Sequence, residues 1–185
     1  MPLFYVRKEY AMYYCRTYHA PIGQLTLASD GDSLTGLWLQ GQKFFAQNHC
    51  DPVERPELPV LQDTAAWLDR YFAGEKVAPG LLPLKPEGTA FQRRVWDILL
   101  TIPYGQTVTY GQIAKLLDCP GASQAVGAAV GHNPISVIIP CHRVLGSNGK
   151  LTGYAGGLQA KAMLLQLEGV LTSEEIQGFL TGIPL

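Results

Sequence analysis

Apolar and polar residues alternate along the first part of the chain. In GQLTLAS, Leu25 and Leu27 stand between polar neighbours, and LTGLWL shows a similar alternation. The turn-forming sequences APIG and SDGDS flank these runs. The pattern predicts two or three antiparallel strands joined as a meander.

A helical period follows the predicted strands. In VLQDTAAWLDRYFAG, apolar residues recur every three or four positions, at Leu61, Ala65, Leu68 and Phe72, and Gly74 stands where a helix commonly ends. The polar, proline-rich DPVERPELP before this helix predicts a loop. The segment EKVAPGLLPLKPEGT after it contains three prolines and two glycines, which predicts a linker between two domains.

Four more helices are predicted after the linker, the last of them over QAKAMLLQLEG, where the pattern alone would make Glu168 a solvent-exposed helix residue. TAFQRRVWDILLTI predicts an amphipathic helix that begins near Thr89, and TYGQIAKLLD predicts a second with Thr109 as its N-cap. The third, ASQAVGAAVGHN, consists almost wholly of small residues. Its Gly127 and Gly131 each cost about 1 kcal/mol relative to alanine in a helix. Two interpretations stay open: tight packing against another helix, or close approach to a narrow groove of a partner.

These patterns divide the chain into four parts. We predict a lead-in over residues 1–10, an N-terminal α/β domain over 11–85, a C-terminal domain over 86–170 and an extension over 171–185. A length of 185 residues allows one domain of ordinary size or two small ones. With 47% apolar and 16% charged residues, the composition is that of a globular protein rather than a disordered one.

Charge is unevenly distributed along the chain. The net charge of −1 argues mildly against a nucleic-acid-binding protein. Residues 88–169 nevertheless hold six basic and three acidic residues, so positive charge is concentrated where a phosphate-contacting surface would need it. Two of the helices predicted there, joined by a Pro-Gly turn, are similar to a helix-turn-helix, although many helical hairpins bind no DNA.

The four cysteines, Cys15, Cys50, Cys119 and Cys141, are widely spaced and form no CxxC pair. We therefore expect no zinc ribbon and no thioredoxin-like motif. Cys15 has an i, i+4 spacing to His19, but a strand would bring the two together only roughly, and we expect no bound metal. No basic segment precedes a long apolar run, and no apolar run approaches 20 residues. We expect a cytoplasmic protein with free thiols that does not enter a membrane.

The candidate chemistry lies in VIIPCHRV, residues 137–144. Pro140 favours extended backbone at the residue before it, so the apolar run predicts a short buried extended segment that places Cys141. A lone cysteine among apolar residues is usually a small core residue. The adjacent His142 and Arg143 are unusual for that role, and cationic neighbours lower the pKa of a thiol from about 8.5.

Several reactions use a thiol near an imidazole. A cysteine hydrolase needs direct contact between the two side chains and an oxyanion hole. Neighbouring residues of an extended chain point to opposite sides, so only a bridging water would connect Cys141 with His142. Adjacent residues rarely chelate one metal ion. A thiolate could also displace a leaving group from an alkyl carbon, and because the resulting thioether is stable in water, such a protein would act once.

The stretch NPISVIIPCHRVLGSNGKLTGYAGGLQAKAMLLQLEG closely resembles the active-site region of the O6-alkylguanine-DNA alkyltransferases, or methylated-DNA–protein-cysteine methyltransferases. The resemblance lies in PCHR, in the Asn-Pro before it, and in the Gly-Tyr and Lys…Leu-Leu…Glu patterns after it. It is strong over residues 88–169 and extends to APIGQLTLA and YFAG. It implies an α+β fold, with an N-terminal ribonuclease-H-like α/β domain and a C-terminal helical domain of winged-helix or helix-turn-helix type.

The resemblance implies direct-reversal DNA repair without a cofactor. An alkyl group would pass once and irreversibly from guanine O6, with thymine O4 as a second candidate, to Cys141. His142 would take the thiol proton through a water molecule, and Glu168 would orient the imidazole. Tyr110 would donate a proton toward the leaving guanine.

Further positions are implied to bind the substrate. Asn133 would brace the turn beside the active site, Tyr154 would line the base pocket, and backbone groups of Cys141, Val144 and Ala155 would recognise the guanine edge. The small-residue helix would lie in the minor groove of alkylated double-stranded DNA, with the target base flipped out. The implied DNA-contacting residues are Gly111, Cys119, Ala122, Ser123, Gln124, Arg143 and Ser147.

One position departs from the family pattern. The family usually carries an arginine early in the recognition helix, as in ARAVG, whereas SQAVG places Gln124 there. Glutamine lacks the charge and the planar fork of arginine, so we expect weaker DNA binding than in an arginine-bearing relative. The main alternative is a sensor that binds alkyl lesions with weak or no transfer. A cysteine hydrolase and a helix-turn-helix regulator are further alternatives. We expect the protein to act as a monomer.

Overall fold

The computed structural model describes residues 12–46 and 52–181, with side chains as far as residue 177. The predicted lead-in over 1–10 and the last four residues of the extension lie outside these ranges. The strands are β1 (Tyr14–Ala20), β2 (Gly23–Ser29), β3 (Leu34–Leu39), β4 (Val53–Glu54), β5 (Val108–Thr109) and β6 (Val144–Leu145). The helices are α1 (Pro59–Phe72), α2 (Ala90–Leu100), α3 (Tyr110–Leu116), α4 (Ser123–Gly131), α5 (Leu158–Leu167) and α6 (Ser173–Thr181).

The predicted meander is confirmed as β1, β2 and β3, which pair antiparallel. Leu25 and Leu27, the alternating apolar residues of β2, are fully buried in the core shared with α1. The strand order is β3-β2-β1-β4, and the two residues of β4 pair parallel to β1. β4 lies in the segment DPVERPELP that was predicted as a loop, because its three prolines and few apolar residues gave no strand pattern.

The predicted first helix is confirmed as α1. It begins at Pro59, which tolerates the first turn because no N–H is needed there. Leu61 and Leu68 are fully buried, as the helical spacing requires. Gly74 has a φ of 88° and its N–H donates to Tyr71 O, so the helix ends through a left-handed residue.

The edge strand β3 connects the sheet to the second half of the chain. At one end, Leu34 exchanges backbone hydrogen bonds with the linker at Pro83 and Lys85, each 2.8 Å long. At the other end, Leu37 N donates to Pro134 O over 2.8 Å and Leu37 O accepts from Ser136 N over 2.9 Å. The sheet edge therefore holds the backbone just before the PCHR segment.

Two predicted helix starts are confirmed with their caps. The Thr89 and Thr109 side chains each accept from the backbone N–H of the glutamine three residues later, which completes a capping box at α2 and at α3. α3 and α4 form the predicted helix-turn-helix, and Trp96 of α2 donates to Ala129 O over 2.9 Å behind α4.

The extension begins as an ordered helix. α6 is capped by reciprocal hydrogen bonds between Thr172 and Glu175, and Ile176 is buried against the rest of the domain. Within residues 12–46 and 52–181, none of the helices has the length and apolar character needed to cross a membrane.

Candidate active site

The segment before Cys141 is buried, as predicted, but it is not extended. Ile135 to Ile139 forms compact turns with Val137 at a φ of 71°, and Cys141–Arg143 forms a 3-10 turn. The extended prediction is wrong because Asn133 folds the segment back on itself. Its Nδ2 donates to Ile139 O over 2.8 Å, and its Oδ1 accepts from Ile135 N over 3.0 Å. Asn133 therefore braces the turn that places Cys141.

The thiol of Cys141 is neutral at rest. The residue is 4% exposed, and burial raises the pKa of the thiol, although the Asn133 amide, the Lys161 charge and nearby backbone N–H groups act in the opposite direction. The expectation that Arg143 lowers this pKa is wrong, because the Arg143 guanidinium points to Glu168 and to Ile102 O. The cation that faces the thiol is Lys161.

Lys161 is a buried cation that joins the two ends of a loop. Its Nζ donates to Val144 O and, over 2.7 Å, to Thr152 O. Burial lowers the pKa of Lys161 to about 8. The ammonium thus braces the segment between β6 and α5 and places one positive charge near the thiol.

His142 and Glu168 form a buried pair. His142 Nε2 lies 2.7 Å from Glu168 Oε1, and both side chains are fully buried. An ionised carboxylate only accepts hydrogen bonds, so Nε2 carries the hydrogen and Nδ1 carries the free lone pair. Among the described residues, His142 Nδ1 has no hydrogen-bond partner. The free lone pair makes the ring a candidate general base.

Opposing effects set the charge state of this pair. Burial lowers the pKa of His142 and outweighs the attraction of Glu168, so the ring is neutral near pH 7. Burial alone would raise the pKa of Glu168, but hydrogen bonds from His142 and Arg143, together with the positive charge of Arg143, hold this pKa well below its usual range. Glu168 is therefore an ionised carboxylate beside a neutral imidazole.

Arg143, which was predicted to contact DNA, has its side chain turned inward in this structure. Its side chain is 8% exposed, and its Nε and Nη2 donate to the two oxygens of Glu168 over 2.8 and 2.9 Å. Its Nη1 donates to Ile102 O. A buried carboxylate without a cationic partner is strongly destabilising, so the Arg143 side chain points inward to Glu168.

Sequence patterns alone missed a fourth member of this cluster, Tyr71 of α1. Its hydroxyl donates to Glu168 Oε1 over 2.7 Å, from a position 97 residues earlier in the chain. Tyr71 stands at a core position of an amphipathic helix, and nothing in the local pattern distinguishes it from a packing residue. Only the tertiary arrangement brings it to Glu168.

A pocket of about 190 Å³ lies between α3, α4 and the loop before α5. Tyr110 and Tyr154 line it, and a charge on Cys141 would raise the pKa of both phenols. The parallel pairing of β5 with β6 sets the distance between Tyr110, which begins α3, and the turn that holds Cys141. Ala155, which was predicted to recognise the guanine edge, also lines the pocket.

Two pocket residues come from the N-terminal half and were missed from the sequence. Lys43 N donates to Ala155 O over 3.2 Å, and the Phe44 ring stacks on His132 with centroids 3.8 Å apart. Both line the pocket. Their positions follow from the loop after β3 and not from a motif, so no sequence pattern marked them.

The remaining predicted residues lie around the helix-turn-helix. Gln124 and Ser147 are exposed, and Gly111, Cys119, Ala122 and Ser123 are half-buried. A methyl group added at Gly127 would touch only the Tyr110 ring, at 3.7 Å, and one added at Gly131 would meet nothing within 4 Å. Packing within the protein therefore does not require a glycine at either position. Among the described residues, no three His, Cys, Asp or Glu side chains cluster as metal ligands would.

Family models match both halves of the chain. Residues 13–86 match the ribonuclease-like domain of 6-O-methylguanine DNA methyltransferase, and residues 90–170 match its DNA binding domain. The chain belongs to the 6-O-methylguanine DNA methyltransferase family. The predicted two-domain α+β fold is thereby confirmed.

Relatives with high identity support the same assignment. The chain is 46% identical over 160 residues to the methylated-DNA–protein-cysteine methyltransferase of Haemophilus influenzae, covering 86% of this chain and 88% of that protein. It is 48% identical over 158 residues to the Mycobacterium tuberculosis protein of that name, covering 85% and 93%. A crystal structure of Mycobacterium tuberculosis OGT in complex with DNA superimposes with a TM-score of 0.78 at 44% identity, covering 88% of this chain and 98% of that one.

The lowered pKa of His142 predicts a stability that falls on acidification. In the unfolded chain the ring takes up a proton near pH 6.5, whereas in the folded protein it resists protonation. The contribution of His142 to the free energy of unfolding is therefore fully present above about pH 6.5. It is lost as the pH falls from there toward the pKa of His142 in the folded protein. Denaturant unfolding from about pH 6.5 to 5.5 should show a smaller pH slope in His142→Gln than in the wild type, by up to about 1.4 kcal/mol per pH unit. Equal slopes would contradict a buried neutral His142.

Proposed function

We propose that this protein repairs alkylated DNA by direct reversal, with Cys141 as the acceptor of one alkyl group from guanine O6. The observation that carries the proposal is the arrangement of a buried thiol, an imidazole whose Nδ1 is free, and a carboxylate held to its Nε2. A bridging water between Cys141 Sγ and His142 Nδ1 would connect the first two, as the sequence predicted. Thymine O4 remains a second candidate target.

The step balances without a cofactor. The thiol proton passes through the water to His142 Nδ1, and the sulfur attacks the alkyl carbon. The S–C bond forms as the C–O6 bond breaks, and the electron pair leaves with guanine. Tyr110 donates a proton to the leaving guanine and regains one from solvent, and His142 releases the thiol proton. Tyr110 is supported in this role by its place in the pocket wall and by its proximity to the thiol.

The geometry argues against the hydrolase alternative. A hydrolytic thiol is kept as a reactive nucleophile by direct contact with its base. Here burial keeps the Cys141 thiol neutral, and His142 Nδ1 has no partner among the described residues. A thioether on Cys141 would not be hydrolysed, so each molecule would react once.

We further propose that α4 enters the minor groove of double-stranded DNA and that the target base flips into the pocket. The outer face of α4 carries Gln124, Ala125 and Ala128, all exposed, and its glycines are not required by internal packing. Of the two interpretations of this small-residue helix, close approach to a partner is therefore favoured. Gly111, Cys119, Ala122, Ser123 and Ser147 remain proposed DNA contacts.

The oligomeric state, the cellular location and the domain boundary remain proposals. We expect a monomer. We also expect it to work in a reducing cytoplasm, which the free thiols of Cys15, Cys119 and Cys141 support. We retain the domain division near residue 86, which is supported by the linker that runs along β3. Light scattering with and without an alkylated duplex would test the first of these.

The transfer reaction predicts a covalent product. Incubation with an O6-methylguanine oligonucleotide should add the mass of one methyl group to the peptide that contains Cys141. The Cys141→Ala variant should gain no mass, and Cys15→Ala should react like the wild type. Lesion binding without an adduct would favour the sensor alternative, and sustained turnover on an acyl substrate would favour a hydrolase.

Gln124 predicts weaker electrostatic binding than an arginine would give. Gln124→Arg adds one cation at the start of α4, so duplex affinity should rise at low salt and the slope of log K against log salt should steepen by about 0.9. Gln62→Arg adds the same charge on an exposed position of α1 and should change neither quantity. Equal binding by Gln124→Arg and wild type would show that position 124 does not face DNA.

The small face of α4 predicts a steric limit on DNA binding. Ala128 is exposed, so Ala128→Leu should leave the melting temperature unchanged while it lowers duplex affinity by about tenfold, since a bulkier helix cannot enter a narrow groove as deeply. Ala66→Leu makes the same change on an exposed position of α1 and serves as the control. Unchanged affinity in Ala128→Leu would exclude this face from the interface.

A further inference from the structure

Tyr71 belongs to α1 of the N-terminal domain, yet its hydroxyl reaches the carboxylate at the end of α5. Tyr71 Oη donates to Glu168 Oε1 over 2.7 Å and lies 3.4 Å from His142 Nε2. The residue is 1% exposed. Its ring stacks on Trp67 and meets Phe72 edge-on, each with centroids 5.3 Å apart. These contacts place the hydroxyl at one position relative to Glu168.

Glu168 receives five hydrogen bonds. Oε1 accepts from Tyr71, from His142 Nε2 and from Arg143 Nη2, and Oε2 accepts from Arg143 Nε and from Gly105 N. A carboxylate offers about four lone-pair sites, so this one is saturated. A saturated carboxylate is a poor proton acceptor, and a proton that reaches His142 therefore stays on the ring.

Ordinary packing would also place a tyrosine here. A buried phenol needs an acceptor for its hydroxyl, and many acceptors would serve. The acceptor in this protein is the same oxygen atom that holds the imidazole, and the next residue in reach of the hydroxyl is the imidazole itself. The hydroxyl thus acts on the orientation of the pair and not only on its own solvation.

We infer that Tyr71 is a positioning residue for alkyl transfer, through which the N-terminal domain orients the Glu168–His142 pair. This inference rests on the proposed roles of Cys141, His142 and Glu168. Tyr71 does not exchange a proton in the reaction. It holds Oε1 in place, so that the N–H of His142 stays on Nε2 and the lone pair stays on Nδ1.

Removing the hydroxyl should slow transfer and shift its pH dependence. The ionisable groups that face the pair are Tyr71, Tyr104, Arg143, Lys161, Tyr154 and Cys141. In Tyr71→Phe the carboxylate loses one donor, so its negative charge stabilises the imidazolium more strongly. The acidic side of the pH–rate profile for alkyl transfer should therefore move to higher pH. The transfer rate at neutral pH should fall roughly tenfold.

The matched control is Tyr18→Phe. Tyr18 Oη also donates a 2.7 Å hydrogen bond to a carboxylate of α1, but that carboxylate is Asp69 and not the one that holds His142. Phenylalanine at position 71 keeps the ring contacts with Trp67 and Phe72, so we expect it to fold, and a melting curve would verify this. Single-turnover methyl transfer is then measured from about pH 5 to 9 in wild type and both variants. The pKa of the His142 ring is measured by NMR in the same proteins.

The outcomes separate this inference from the proposed function. A slower Tyr71→Phe whose acid limb and His142 pKa both rise, beside a Tyr18→Phe that behaves like the wild type, supports it. A normal pH profile in Tyr71→Phe overturns it, even if the melting temperature falls, because a packing role would move only the latter. An equal shift in Tyr18→Phe also overturns it. A wild type that forms no adduct overturns the proposed function itself, and this inference with it.

Discussion

The negative charge of Glu168 is the constraint around which the site is assembled. A buried carboxylate without partners would cost several kcal/mol, so the fold must bring donors to it. They come from separate parts of the chain: from α1 through Tyr71, from the loop before β5 through Gly105, and from the 3-10 turn through His142 and Arg143. Satisfying this one charge therefore requires the two domains and the reactive turn to assemble together.

Burial also sets the protonation state of the Cys141 thiol. Reactive cysteines in many enzymes are exposed thiolates with a lowered pKa, whereas burial raises the pKa of Cys141. A thiolate near the surface is also the form that oxidants attack. In the proposed reaction the acceptor is used once, and the thiol ionises only when His142 takes its proton, so a neutral thiol would be protected until the substrate arrives. The buried ammonium of Lys161 then faces the charge that develops.

Local patterns predicted the elements well, and tertiary contacts account for what they missed. The helix starts at Thr89 and Thr109 could be predicted because a capping box involves residues only three positions apart. The extended path before Cys141 was wrong because Asn133, six residues from its partner Ile139, bends it. Arg143 was predicted to contact DNA, and its inward position was not foreseen because the partner that buries it, Glu168, stands 25 residues later. Resemblance to a family supplied the pairing of His142 with Glu168; neither periodicity nor spacing could have done so.

The N-terminal domain acts on the reactive turn from two directions, although it holds none of the proposed reacting groups. On one side, Leu37 of β3 pairs with Pro134 and Ser136 and so sets the backbone path that leads into the turn. On the other side, Tyr71 reaches the carboxylate that holds the residue after Cys141. The first contact acts on backbone and the second on side chains. A displacement of this domain would therefore release the turn and remove a donor from Glu168 at once, so the geometry of the imidazole depends on how the two domains pack.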